Sequence, residues 1–362
     1  MEQPDGSVQL ERTLRVELDV DGARTEVPEL VGQERPALLL VNDDDLAYAK
    51  VRLDEQSLAA ATEHLHAFTS SLPRTLVWAA AWDMTRDGEL AARDFVDLVL
   101  ANIAHETDSS VVLVLLRQLT MTLDLYVAPE HRAEAAAAAA ERLWELASGA
   151  AEGSDLQLQL AKAFAARATT AEQLDRVLGL VDGTTALGGL SIDTDLRWEL
   201  LTSLAAGGRA DEARIAEQLA SDATATGERA AAAARAALPT PEAKAAAWDT
   251  VVERGDLANA LQTSTIAGFG RVHDRALLEP YVDRYFDAIE EVWTSRTNEI
   301  AQNVVVGLYP SLLAGTDVDV LGRTDAWLDQ AGDRHPALRR LVVESRDGVR
   351  RALAAQERDR AR

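Results

Sequence analysis

The sequence predicts a mainly α-helical protein: an irregular α-solenoid of stacked helical hairpins, preceded by a small antiparallel β segment. Three observations carry this. Apolar residues alternate with charged ones at period two as far as Asp54, and recur at the helical period from Ser57 onward. Polar or glycine-containing breaks divide the helical stretch at irregular intervals of roughly 30 to 40 residues, as in stacked helix pairs. Alanine-rich runs, Ala135 to Ala140 and Ala230 to Ala237, favour helix and let neighbouring helices approach closely. The chain therefore divides into residues 1–55, a β segment, and residues 56–362, a helical domain.

The β reading rests on four short runs. Val8 and Leu10, then Leu14, Val16, Leu18 and Val20, alternate with partners such as Arg15, Glu17 and Asp19. Asp21-Gly22 is a turn signal before the run from Arg24 to Leu30. Leu38 to Val41 reads as a buried strand and Asn42 to Asp45 as a turn. Tyr48, Lys50 and Arg52 then alternate with Ala49, Val51 and Leu53. A complete sandwich needs about seven strands, so this sheet is either part of a larger one or capped by the helices behind it. The Asn42-Asp43-Asp44-Asp45 cluster lacks the glycine and distal glutamate of a calcium loop.

The helical elements follow in order. Leu58, Ala61, Leu65, Phe68 and Leu72 share one face, and Leu76, Ala79, Ala80 and Trp82 form the next helix. Leu90, Phe95, Leu98, Val99 and Ile103 point inward from the stretch Glu89 to His105. Val111 to Leu125 is apolar enough to be buried on several sides. Breaks are expected near Ser148-Gly149, Asp182-Gly183, Gly188-Gly189, Gly207-Gly208, Thr226-Gly227, Pro239-Thr240-Pro241, Gly255-Asp256, Gly315-Thr316 and Gly332-Asp333. Thr170-Ala171-Glu172-Gln173 fits a capping box, and Thr240-Pro241 sets a capping hydroxyl before a proline at the first helical position. Gln356 to Arg362 is polar and expected to fray.

Composition narrows the function. Thirty-six basic and 60 acidic residues give a net charge of −24, which disfavours nucleic acid and anionic membrane surfaces. There is no cysteine, which removes disulfides, thiolate zinc sites and cysteine nucleophiles. Met1 to Ser7 has neither the basic region nor the apolar core of a signal peptide, and no run of about 18 apolar residues occurs. The expected location is cytoplasmic. No phosphate-binding glycine loop and no G-x-S-x-G elbow is present.

Several segments resemble the zinc aminopeptidases of the aminopeptidase N type, in their actinobacterial form. The strand–turn–strand from Leu38 to Asp54 looks like the end of that family's β-sandwich domain. Leu196-Arg197-Trp198-Glu199-Leu200-Leu201 and Ala243 to Trp248 look like parts of its helical, endoplasmic-reticulum-aminopeptidase-like C-terminal domain. So does the segment from Tyr281 through Tyr285-Phe286, Trp293 and Ala301-Gln302 to Leu308-Tyr309-Pro310. The resemblance runs from roughly residue 30 to residue 345. Such enzymes carry His-Glu-x-x-His, in which two histidines four apart face one zinc and the glutamate acts as general base. They also carry a G-x-M-E-N loop. Here the only His-Glu pair is His105-Glu106, and residue 109 is Ser; no G-x-M-E-N occurs.

The resemblance thus implies the C-terminal, non-catalytic part of a zinc aminopeptidase that removes N-terminal residues from peptides, with residues 1–55 part of a β-sandwich domain and residues 56–362 a bowl-shaped helical domain that closes the catalytic chamber and controls peptide access. The zinc would lie in the parent enzyme's catalytic domain, with no cofactor in this chain. Its partners would be the catalytic N-terminal domains of the same enzyme and the peptide substrate. The alternative is a stand-alone helical-repeat scaffold that binds a protein partner on a concave face.

Six residues are candidates for lining a peptide chamber: Arg74, Trp78, Trp82, Asp83, Arg197 and Trp198. Trp78 and Trp82 are four apart on one helical face, with Arg74 a turn earlier and Asp83 beside them. The plainer reading is a core stripe with an internal ion pair. Arg197 follows Asp193 and Asp195, either of which suits a helix cap, and its guanidinium could grip a substrate carboxylate or a neighbouring aspartate. The histidines His64, His66, His105, His131, His273 and His335 show no metal-ligand spacing.

Overall fold

A computed structural model describes residue 10 and residues 12–362 of the chain. Val8 lies outside the described residues. The described part contains sixteen α-helices: α1 Glu55–His64, α2 Ser71–Arg86, α3 Ala92–Asn102, α4 Ser109–Met121, α5 Arg132–Gly149, α6 Asp155–Arg167, α7 Ala171–Asp182 and α8 Thr194–Ala206. The second half continues with α9 Glu212–Ser221, α10 Ala225–Ala237, α11 Pro241–Trp248, α12 Asn259–Phe269, α13 Tyr281–Ser295, α14 Asn298–Gly307, α15 Val320–Ala331 and α16 Pro336–Arg360. Wider π turns, Thr122–Tyr126 and Asp249–Arg254, extend α4 and α11.

The capping chemistry read from the sequence is present. Thr170 and Gln173 form a reciprocal capping box at α7, and Thr240 accepts from the Ala243 amide ahead of Pro241. Asp193, rather than Asp195, caps α8 through the Leu196 amide. One break is displaced: Gly227 lies inside the first turn of α10, whose cap is Thr224. A side chain at Gly227 would run into the Asp222 carbonyl, so the glycine serves a close approach and not a break. The first predicted helical face is also split. It spans α1, a tight turn at Leu65–Ala67 and the start of α2, where Leu72 is exposed. The buried residues of α2 are Arg74, Val77, Trp78, Ala80, Ala81, Met84 and Thr85, with Ala79 facing out. On α4, Leu113, Val114 and Met121 are exposed, so this helix is buried on one side only.

Among the described residues there is no strand. Residues 12–54 run as extended chain and tight turns. Asn42, at φ 60°, closes the expected turn, with its side-chain amide bonded both ways to the Ala47 backbone at 2.9 Å. Arg12 and Arg15 neutralise Asp43 and Asp44 at 2.6 and 2.7 Å. Leu38 and Leu40 pack partly on the helical core, while Leu39 and Val41 face out, 44% and 49% exposed. Leu14, Leu18, Val20, Val31, Leu46 and Tyr48 are also exposed. The physical reason is that period-two alternation becomes a strand only when a neighbour satisfies its backbone groups. No such neighbour lies beside this segment among the described residues.

The helices form a closed succession. The even-numbered helices pack each on the next from α2 round to α14, α14 packs on α16, and α16 returns to α2 and α3. The odd-numbered helices cover them. This produces one continuous apolar core from Leu53 to Ala355. Helix α8, buried over nearly all its length, shows how fully the even layer is enclosed.

The closure is held by polar contacts from α16. Asp359, fully buried, accepts from the Arg93 amide at 2.9 Å, the Ala128 amide at 3.0 Å and the Arg93 guanidinium at 3.2 Å. Helix α3 has no side-chain cap of its own at Ala91, so Asp359 caps it from the far end of the sequence. Gln356 donates to the Leu125 and Ala314 carbonyls at 2.7 and 3.2 Å. The final turns are therefore pinned, contrary to the fraying expected of Gln356 to Arg362. No single helix is long and apolar enough to cross a membrane.

Candidate functional site

The predicted residues fall into two sets. Arg74 and Trp78 are buried in α2. The Arg74 Nε donates to Glu106 Oε1 at 2.5 Å, and its Nη1 donates to the Phe68 carbonyl at 2.7 Å. Trp78 Nε1 also points at Glu106 Oε1, at 3.4 Å. The internal ion pair exists, but its acid is Glu106 and not Asp83. Trp82 is half-buried, its ring centroid 5.5 Å from Phe95 and 5.8 Å from Tyr126, with the Arg86 guanidinium 5.9 Å over its face. Asp83 is half-buried beside it. On this helix Trp82 and Asp83 reach the surface, while Arg74 and Trp78 lie in the core.

Arg197 and Trp198 sit on α8. Trp198 is buried and donates to Asp222 Oδ2 at 2.8 Å. Arg197 donates to the Val181 carbonyl at 3.0 Å, a bond to the last turn of α7. It lines a groove of about 990 Å³ between α7, α8 and α9, together with Asp193, Asp211 and Glu217 and the Arg214–Asp182 pair. None of the α2 candidates lines this groove, so the two sets form separate surfaces.

The structure also gathers residues that spacing gave no reason to join. His66 and His105 stack with centroids 4.8 Å apart, and His64 lies 6.4 Å from His66. Burial, then His66 and Arg74, push the His105 imidazole below its usual range. Among the described residues, no three side chains converge as metal ligands. The described residues therefore assemble no zinc centre.

A larger gathering lies where the even-numbered helices end. Lys244, fully buried, donates to the Ala236 carbonyl of α10 at 2.6 Å and the Phe269 carbonyl of α12 at 3.1 Å. Two adjacent helices thus end side by side, and their negative ends hold one ammonium. Burial lowers the Lys244 pKa to about 8. Arg275 bridges the Asp124 and Leu312 carbonyls, and Arg132 bridges those of Val127 and Ala314. Arg167, the last residue of α6, pairs with the Asp124 carboxylate at 2.6 Å. Arg271, just past α12, donates to Ser203 Oγ in the last turn of α8 at 2.6 Å. The signal for this set is faint: single basic residues without common spacing, whose shared destination depends on the ring.

Comparison with known proteins now bears on this architecture. Residues 38–351 match the model of the ERAP1-like C-terminal domain. The chain belongs to that family. The ERAP1-like domain begins before the first helix, at Leu38, and runs into α16. The chain is also 54% identical over 357 residues to an aminopeptidase N of Streptomyces lividans. That match covers 99% of this chain and 41% of the relative. The ERAP1-like domain and its leading segment thus span about two fifths of the length of that relative.

Proposed function

We propose that this chain is the C-terminal, non-catalytic portion of a zinc aminopeptidase. Its helical ring would close the catalytic chamber and govern which peptides reach it. The observation that carries the reading is the match to an aminopeptidase N across 99% of this chain but only 41% of the relative. His-Glu-x-x-His is absent from these 362 residues. In such an enzyme the zinc polarises the scissile carbonyl and activates water. The present chain supplies none of its ligands and acts on access and shape.

The segment before α1 supports the same reading. Leu14, Leu18, Val20, Val31, Leu39, Val41, Leu46 and Tyr48 stand exposed along it. Exposed apolar side chains on extended chain suit pairing with strands of a neighbouring domain. The catalytic domains of the same enzyme are the partner we propose, and a peptide is the substrate. Trp82 and Asp83 on α2, and Arg197 on α8, are the surface residues proposed to meet it.

The purified chain tests the central negative. It should bind no stoichiometric zinc by calorimetry and hydrolyse no aminoacyl amide with zinc added. Zinc-dependent turnover that survives repurification and is lost with a chelator would overturn the reading.

A further inference from the structure

His66 and His105 stand on two separate turns that the fold locks side by side. His66 lies in the turn Leu65–Ala67 that follows α1, and His105 ends the turn Ile103–His105 that follows α3. Buried neighbours anchor each turn: Leu65 and Ala67 beside the first histidine, Ile103 and Glu106 near the second. Asn102 donates to the Thr62 carbonyl at 2.9 Å, which bolts the end of α3 to α1. Arg74 ties the two turns together. It donates to the Phe68 carbonyl, two residues past His66, at 2.7 Å, and to Glu106 Oε1, the residue after His105, at 2.5 Å. The two histidine backbones are therefore held, while both rings are exposed.

The separation of the rings is that of a chelate. Two imidazoles on one metal ion, each nitrogen about 2.0 Å from it and about 90–110° apart, hold their ring centres about 4.5–5.2 Å apart. Here the centres are 4.8 Å apart, with the planes inclined by 33°. Aiming one nitrogen of each ring at the shared point needs only rotation about χ2, a torsion that is broad for histidine. Burial, then His66 and Arg74, hold the His105 imidazole below its usual range, which favours the neutral, ligating form at neutral pH. Glu106 offsets the Arg74 charge beside the pair, and a net charge of −24 draws cations to the chain.

We propose that His66 and His105 form a two-imidazole chelate for copper(II) or nickel(II), with water on the remaining positions. The ion would clasp the turn after α1 to the turn after α3. A tetragonal ion accepts two neighbouring protein nitrogens, and copper(II) binds tightest in the divalent series. Zinc takes three or four protein ligands in its usual sites, so it should bind here at least about tenfold more weakly than copper. No third ligand converges among the described residues: His64 lies 6.4 Å from His66 and faces Glu63 at 3.5 Å. The proposal is independent of the reading as a peptidase component.

The test is calorimetric titration of the whole 362-residue chain with copper chloride and nickel chloride, with glycine present as a weak competitor. One equivalent should bind, copper more tightly than nickel. Loss of an outer partner of a metal ligand already costs about 10–100-fold, so His66→Gln and His105→Gln should each weaken binding about tenfold or more. Both rings are exposed, so neither change should disturb the fold. His335→Asn, at a ring that meets Glu290 instead, should leave binding unchanged. Electron paramagnetic resonance of the copper form should report two nitrogen ligands, reduced to one in either variant. Nickel should raise the melting temperature of the wild type and of neither variant, because the ion binds only where both turns are in place. Binding that both variants retain in full marks an adventitious ion and overturns the proposal. Loss confined to one of the two histidines, or no saturable binding at all, overturns it as well.

Discussion

Replacing Asp359 by alanine should open the ring at its seam. The carboxylate is fully buried in the last turns of α16, and 266 residues separate it from Arg93. Its removal orphans the Arg93 amide, which is part of the uncapped start of α3, and the Ala128 amide. A lost helix cap costs about 1 kcal/mol. A buried donor left unpaired costs about 1–3 kcal/mol. The Arg93 guanidinium is 25% exposed and recovers part of its loss from water, so its contribution is discounted. The total is about 3–5 kcal/mol, in the range for breaking one side of a buried pair. Urea denaturation followed by far-ultraviolet circular dichroism measures it. Hydrogen exchange should show early opening at the α16–α3 seam. A loss under about 1 kcal/mol, with α16 still protected, would refute the reasoning that one carboxylate closes the ring.

Three further outcomes are expected. Lys244→Met should remove a pH dependence: with the pKa at about 8 in the fold and 10.5 in the open chain, the unfolded state binds more protons between those values. Wild-type stability should therefore rise by up to about 3 kcal/mol from pH 8 to 10.5 relative to the variant, and parallel curves would contradict this. Gly315→Ala should cost about 1–3 kcal/mol in a chemical melt, because φ is +80° and the new methyl would meet the Gln356 amide oxygen. Asp87→Asn should loosen residues 50–52, since Asp87 joins Lys50 at 2.7 Å, Arg52 at 2.6 Å and Arg351 at 2.8 Å. Lys50 and then Arg52 hold this carboxyl below its ordinary range, so the wild-type contact should persist above that range and fade as pH falls through the lowered value. Limited proteolysis ahead of α1 reads it, and equal cleavage of both proteins at neutral pH would count against the junction.

Local signals were legible because their partners are local. The Thr170–Gln173 box, the Thr240–Pro241 start and the Gly183 stop involve residues within a few positions of each other. Residues whose partners lie far off in the sequence were not legible. Glu106 as the partner of Arg74, Asp359 as the cap of α3 and Lys244 as the clasp of two helix ends each require the ring to be known first. The exposed stripe of α4 departs from its hydropathy for a related reason: hydropathy reports what a face tolerates and not whether a neighbour covers it. The alternation before α1 is a case of the same kind: among the described residues no strand lies beside it to pair with. The candidate site was half legible. Trp82 and Arg197 do reach a surface, but the arginines and lysine beyond the helix ends went unread, because isolated basic residues carry no spacing.

The most direct test of the account uses the Streptomyces lividans aminopeptidase N, intact and with the portion matching this chain deleted. Hydrolysis of a dipeptide amide is compared with release of the first residue from a folded protein that has an accessible N-terminus. The account predicts that the truncated protein binds zinc as the intact one does and still cleaves the amide, and that its rate on the folded protein rises relative to its rate on the amide. Unchanged selectivity, with zinc retained, would contradict a role for this helical ring in controlling access.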